Sequence, residues 1–239
     1  MEEHVLYRSE SIISLFDEMA RTYGKTNTLS SFGFSQRWRK QCVDAIEIPD
    51  EGRVLDLMTG AGELLHVLHR RGRRELEVSA VDFSPEMVRR ANENAKRWRG
   101  FEAQVIEADV LKHDFLPNHF DAVISSFGLK TLSVRQLAQL AQVIAATLKP
   151  GGCFSLLEIS VPKGFLWRIP FMFYVKRVIP LIGRLCLGNP DNYRFLGVYT
   201  EAFGSCESTL LAFQQAGLEV EVKRFFFGCA TALVGSKPE

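Results

Sequence analysis

The chain has 239 residues with 29 Lys and Arg against 28 Asp and Glu, so its formal charge of +1 provides no long-range field for nucleic acid. Its 46% hydrophobic and 24% charged residues exclude a disordered chain. No strongly apolar run approaches the roughly 18 residues needed to span a bilayer.

The opening MEEHVLYRSE has neither the basic nor the apolar region of a signal peptide. Residues 1 to about 50 are expected to form a helical cap. From Arg53 onward short β-branched runs alternate with helical patterns, a βαβ rhythm. Strands are predicted over Arg53–Leu57, Glu77–Val81, Gln104–Ala108, Asp121–Ser126, Cys153–Ile159, Val220–Phe226 and Thr231–Gly235. Helices are predicted over Glu63–Arg71, Pro85–Trp98, Val134–Leu148 and Glu207–Ala216. Ser84, followed by Pro85, and Ser133 are helix caps, and Lys149-Pro150-Gly151-Gly152 is a helix stop. Residues 162–206 form a second region outside the rhythm, expected to be a helical lid. The last two strands, turning at Phe227-Gly228, are expected to form an antiparallel hairpin at the edge of a mainly parallel sheet. The predicted fold is therefore α/β and Rossmann-like, one domain with a seven-stranded sheet.

The chemistry is concentrated where the first strand ends. Val54-Leu55-Asp56-Leu57-Met58-Thr59-Gly60-Ala61-Gly62-Glu63 is an apolar strand running into a two-glycine turn and a helix. Gly60 and Gly62 suit a backbone that a ligand must approach closely, although an ordinary strand-to-helix turn has the same pattern. Asp82, followed by Phe83 at the end of the second strand, lies near the roughly 20-residue spacing of a ribose-binding carboxylate. Asp56 and Glu63 flank the loop and would repel a pyrophosphate, whereas they suit the amino group and sulfonium of S-adenosylmethionine (SAM). Leu65 stands where a dinucleotide fingerprint needs a small residue, so SAM is favoured over NAD. Asp109, ending the third strand, is placed to meet an adenine amino group, with Val110 packing on the ring.

Several stretches together resemble the UbiE-type methyltransferases of ubiquinone and menaquinone biosynthesis: Phe16-Asp17-Glu18-Met19-Ala20-Arg21-Thr22-Tyr23, Trp38-Arg39, Val81-Asp82-Phe83-Ser84-Pro85, Ser126-Phe127-Gly128-Leu129, Leu148-Lys149-Pro150-Gly151-Gly152 and Leu157-Glu158-Ile159-Ser160. The resemblance implies methylation of a ring carbon on a quinol precursor and SAM contacts at Ala61, Asp82, Asp109, Val110 and Ser126. The cofactor half keeps the family pattern, with Gly60-Ala61-Gly62-Glu63 in place of Gly-Thr-Gly-Asp. The acceptor half departs from it: Tyr23-Gly24 replaces Tyr-Asp, and Lys130-Thr131 replaces Arg-Asn. The acceptor is thus expected to be an apolar quinol-like or secondary-metabolite ring. Transfer to oxygen or nitrogen, and a non-catalytic SAM-binding role in a biosynthetic complex, are the alternatives. Lys130 and Tyr23 are the candidate catalytic residues, the first stabilising an acceptor anion and the second bonding its oxygen or closing the lid.

The apolar stretch 165–187, studded with Arg168, Lys176, Arg177 and Arg184, reads either as a buried lid or as an amphipathic segment resting on lipid headgroups. Cys42, Cys153, Cys186, Cys206 and Cys229 include no Cys-x-x-Cys pair and are expected to be reduced thiols of a cytoplasmic protein. His66 and His69 have no third ligand nearby in sequence, so no metal is expected. A homodimer is left open.

Overall fold

A computed structural model describes residues 7, 12–14, 17, 30–72, 75–186 and 190–239. The parallel strands are β1 (Arg53–Leu57), β2 (Glu77–Asp82), β3 (Ala103–Glu107), β4 (Phe120–Ser126) and β5 (Leu148–Ile159), and the last two strands are β6 (Glu219–Phe225) and β7 (Ala230–Ser236). They form one sheet in the order β3-β2-β1-β4-β5-β7-β6. Strands β1 to β5 pair in parallel, while β7 runs antiparallel to both β5 and β6. The hairpin is present, with β7 inside the sheet and β6 at the edge. The sheet is thus the seven-stranded mixed sheet expected from the strand rhythm.

Alternation along the strands explains the layers. In β1, Val54 packs into one core with Leu64, Leu65, Leu68, Trp38 and Cys42, and its neighbour Leu55 packs into the other with Leu137, Leu140, Ile144 and Phe213. Helices α1 (Phe34–Asp44) and α2 (Glu63–Arg70) cover the first face, and α3 (Pro85–Ala95) lies along β2 and β3. Helix α4 (Val134–Thr147), with a later short helix, covers the second. Leu64, Leu65 and Leu68 are essentially out of water, and each such side chain contributes about 1.5–3 kcal/mol through burial.

Ser84 accepts from Met87 N at 3.1 Å with Pro85 in the first turn, and Ser133 closes a capping box with Gln136. The Pro-Gly-Gly stretch does end α4, yet it is itself strand: β5 begins at Leu148, because Leu148 pairs with Phe120 and Gly151 N donates to Lys237 O at 2.9 Å. The helix expected over 207–216 is divided into a 3₁₀ turn, Cys206–Thr209, and α8, Leu210–Gln215.

From Phe165 the segment after β5 is helical throughout its described length: α5 (Phe165–Phe173), a π-helical turn (Tyr174–Val178), α6 (Ile179–Cys186) and α7 (Pro190–Phe203). Pro170 inside α5 removes a backbone donor. The π turn beyond it carries Tyr174, whose hydroxyl donates to Ser30 O at 2.6 Å and ties this segment to the start of α1.

Candidate active site

The chain leaves β1 for β2 on one side and later returns to β4 on the other, so a crevice opens beyond the carboxyl ends of these strands. The loop after β1 bends through three left-handed positions, Met58 (φ 55°), Gly60 (φ 59°) and Gly62 (φ 85°). Thr59 N donates to Val81 O at 3.0 Å, fastening this loop to β2. The loop after β4 meets it at Gly128, where a Cβ would lie 2.7 Å from Met58 Sδ.

Between these loops lies a cleft, about 780 Å³ including the part open to solvent, lined by Gly60, Asp82, Phe83, Asp109, Val110 and Ser126 among others. These are six of the nine residues expected to hold a cofactor. Asp56, Ala61 and Gly62 do not face it. Asp56 lies fully buried behind the loop, and Ala61 uses its carbonyl to accept from Asn94 Nδ2 at 2.9 Å. Tyr7 and Ile12 reach the cleft from the N-terminal segment.

The cleft is acidic at one end. Thr59 Oγ1 donates to Asp56 Oδ2 at 2.5 Å, while Asp56 Oδ1 and Glu63 Oε1 are buried without a hydrogen-bond partner among the described residues. Burial, followed by the nearby Glu63 and Asp82 carboxylates, pushes the Asp56 carboxyl up to about 8. Asp82 accepts from Gly60 N at 2.8 Å and from Ser84 N at 3.0 Å, yet burial still raises it to about 6. At the other end Asp109 accepts from Leu111 N and pairs with Lys112, both at 3.0 Å. Asp109 therefore shapes its own turn as well as facing the cleft.

This donor set fits SAM. The unsatisfied Glu63 carboxylate on the cleft wall suits an ammonium or a sulfonium, and Asp82 retains acceptor capacity for ribose hydroxyls. Among the described residues no Lys lines the cleft, and its buried Arg39 is held against Ser126 and Phe127, so no described cationic side chain is free to cradle a pyrophosphate.

Arg39 escaped sequence reasoning except as part of a motif. Its guanidinium is almost fully buried on α1, donates through Nε to Ser126 Oγ at 3.2 Å and lies 4.8 Å from the Phe127 ring centroid. It makes no ion pair with any described carboxylate. Glu63 and Thr59 also line the cleft beyond the expected set.

Phe127 is the wall between this cleft and a second, apolar cavity of about 1010 Å³. That cavity is bounded by Phe34 and Trp38 from α1, Phe171 from α5, Tyr174 and Val175 from the π turn, and Phe226 from the β6–β7 turn. Lys130 opens onto this cavity rather than onto the cleft. Its Nζ donates to Phe127 O at 2.5 Å and pairs with the fully buried Glu158 at 3.0 Å, and Glu158 also accepts from Lys130 N at 3.0 Å. Tyr23 lies outside the described residues.

His66 and His69 pack against Trp98. Cys42, Cys153, Cys206 and Cys229 are free thiols.

Comparison with known proteins agrees with this geometry. The model of the ubiE/COQ5 methyltransferase family matches residues 5–237. A demethylmenaquinone methyltransferase of Thermus thermophilus is 35% identical over 226 residues, covering 94% of this chain and all of that protein. A ubiquinone/menaquinone biosynthesis C-methyltransferase of Desulfotalea psychrophila is 34% identical, covering 95% of this chain and 90% of that protein. Among solved structures, a SAM-dependent methyltransferase of Aquifex aeolicus shares the fold with a TM-score of 0.58 at 18% identity, over 82% of this chain and 88% of that one. The putative methyltransferase bound to the Trm112 activator of Haloferax volcanii has a TM-score of 0.66 at 18% identity, over 94% of this chain and 98% of that one. With its mixed seven-stranded sheet, its acid-flanked glycine loop and a family match over nearly its whole length, this chain belongs to the ubiE/COQ5 family of SAM-dependent methyltransferases.

Proposed function

We propose that the chain methylates a ring carbon of an apolar, quinol-like acceptor seated in the cavity beneath α5. The observation that carries this reading is the shared wall: Phe127 borders both the acidic cleft and the apolar cavity, so donor and acceptor are separated by one side chain. The names of the relatives, demethylmenaquinone methyltransferase and ubiquinone/menaquinone biosynthesis C-methyltransferase, support the same acceptor class.

In this proposal Asp82 would hold the ribose of SAM, Asp109 and Val110 its adenine, and Glu63 with the glycine loop its amino group. When bound, SAM supplies an electrophilic methyl group, whose transfer leaves the C–S electron pair on a neutral thioether as the new C–C bond forms. The residues around the acceptor hold it in line, exclude water and enrich its ring in electrons. Enrichment requires a phenolate, and three groups of this chain serve it. Lys130 faces the apolar cavity, its charge partly balanced by Glu158. Arg39, close to Phe127 and without an ion pair among the described residues, adds positive potential from the cleft side. Tyr23, outside the described residues, is the third, proposed to bond the acceptor oxygen or to help close the lid. After transfer the ring carbon loses its proton to solvent as the product departs, and the ring regains aromaticity.

The test is incubation with a short-chain demethylmenaquinol and SAM carrying a labelled methyl group. A mass gain of one methyl, placed on carbon by NMR, is the expected result. A label on oxygen or nitrogen, or no transfer to any quinol by a protein that binds SAM, would overturn the proposal.

A further inference from the structure

We propose that α5 and the neighbouring β6–β7 turn dock the protein on an anionic lipid surface and place the mouth of the apolar cavity against it. This goes beyond the catalytic reading, and the docking itself does not depend on which ring is methylated.

A helix that is apolar over most of its circumference belongs in a core or against another apolar phase. α5 has the sequence FLWRIPFMF and contains no buried residue. Its inward side is accounted for: Phe171 lines the cavity, and the Trp167 ring stacks on Phe227 at 4.3 Å and meets Phe226 edge-on at 5.6 Å. Its other side presents Phe165 and Leu166, each 78% exposed, together with Ile169 and Phe173. At helical spacing these four fall within one arc of about 100°.

The apolar surface continues to the cavity. Phe32, 77% exposed, and Phe226, 43% exposed, both line it, so the cavity opens among exposed aromatic rings. Phe227, 64% exposed, extends the patch at the hairpin turn. Such a patch marks an interaction site.

Charge selects the occupant. Between Ile159 and Pro190 the chain has five cations, Lys163, Arg168, Lys176, Arg177 and Arg184, and no acid. Lys163 and Lys176 pair with Glu207 and Glu201. Arg168, Arg177 and Arg184 are exposed and make no ion pair with a described residue. An apolar face edged with exposed arginines that pair with no described residue, on a chain whose remainder is net negative, complements acyl chains beneath anionic headgroups. No helix among the described residues is long and apolar enough to cross a membrane, so the contact lies at the surface.

The test uses the full chain floated with vesicles of phosphatidylcholine, alone or mixed with phosphatidylglycerol. Binding to the anionic vesicles is expected to exceed binding to the neutral ones by about tenfold or more and to weaken with salt. The combined change Phe165→Ser, Leu166→Ser and Ile169→Ser should abolish flotation, while Arg168→Gln, Arg177→Gln and Arg184→Gln should remove the anionic preference and leave the apolar face intact. SAM affinity, read by calorimetry on the same variants, should be unchanged, which keeps docking separate from catalysis. No flotation at low salt, or flotation untouched by both sets of changes, would overturn the proposal. So would a dimer in sedimentation that the serine changes dissociate, with no vesicle binding, since a second copy would then cover the face.

Discussion

Asp56 and Asp82 are carboxyls kept where their charge is poorly solvated, and their titration gives the cofactor site a pH signature. Both are raised, to about 8 and about 6, chiefly by burial. A carboxyl whose folded value lies above its unfolded one, near 3.9, contributes stability below that lower pH and loses it as the pH rises through the folded value. Thermal stability without ligand is therefore expected to fall between about pH 4 and 8. A cationic ligand favours the ionised form, so SAM binding between pH 6 and 8 should release protons, read as a binding enthalpy that varies with the buffer's ionisation enthalpy. An enthalpy indifferent to buffer would detach these acids from the ligand. Asp82→Ala should weaken SAM binding by about 1–3 kcal/mol, and NAD should give no binding heat. Lys130→Met strands Glu158 in the core, where an uncompensated charge costs about 3–5 kcal/mol in denaturation. Adding Glu158→Gln should recover most of that. The double variant then reads the proposed catalytic part of Lys130, with turnover expected to fall by roughly tenfold to a thousandfold at unchanged SAM affinity; equal turnover would leave it only a structural partner of Glu158.

At the scale of elements, local chemistry was the readable part. Ser133 capped its helix as its hydroxyl demanded, and Ser133→Ala is expected to cost about 1 kcal/mol, measured as a lowered denaturant midpoint at constant slope. β1 ran from Arg53 to Leu57 as its apolar pattern predicted, because a strand buried on both faces has little freedom in where it stops. What stayed hidden were features made by distant partners. Pro150 and Gly151 read as a helix stop but belong to β5, since strand Phe120 on one side and Lys237 on the other supply the pairing. Arg39 is defined by Ser126, and Lys130 by Glu158, neither close in sequence. Lys130 could be singled out only by its departure from a family motif, which does not reveal a buried counter-ion. The six cleft-lining residues among those expected to hold a cofactor were legible because strand ends place them, whereas Asp56 was expected to face the cleft and lies one layer behind it. The apolar cavity was legible only in part: the apolar stretch 165–187 supplies Phe171, Tyr174, Val175 and Ile179, but the walls from α1, the loop after β4 and the β6–β7 turn come from distant parts of the chain.

The whole molecule divides its work across Phe127: the sheet's carboxyl edge builds the cleft, and the helical elements build the apolar cavity. Phe127 is held on three sides. Its N–H donates to Leu157 O at 2.8 Å, its carbonyl accepts from Lys130, and its ring lies against Arg39, all at a left-handed φ of 64° that an L side chain rarely adopts. Such a conformation costs of order 1–3 kcal/mol and persists only when its surroundings impose it. The two roles, backbone anchor and aromatic wall, can be separated by substitution. Phe127→Gly relieves the strained φ but removes the wall, whereas Phe127→Leu keeps an apolar wall without the face that Arg39 meets. If the ring positions the acceptor against the methyl group, Phe127→Gly should lower kcat by about tenfold to a hundredfold, because misplacement of about 1 Å has that scale of effect, and should leave SAM affinity within about twofold. Phe127→Leu should fall between the two. The comparison requires calorimetry for SAM and single-turnover rates at saturating acceptor, so that chemistry is separated from binding. Equal losses of SAM affinity and rate would mean that Phe127 only braces the cofactor loop. An unchanged rate in Phe127→Gly would mean that donor and acceptor meet by a route other than this shared wall.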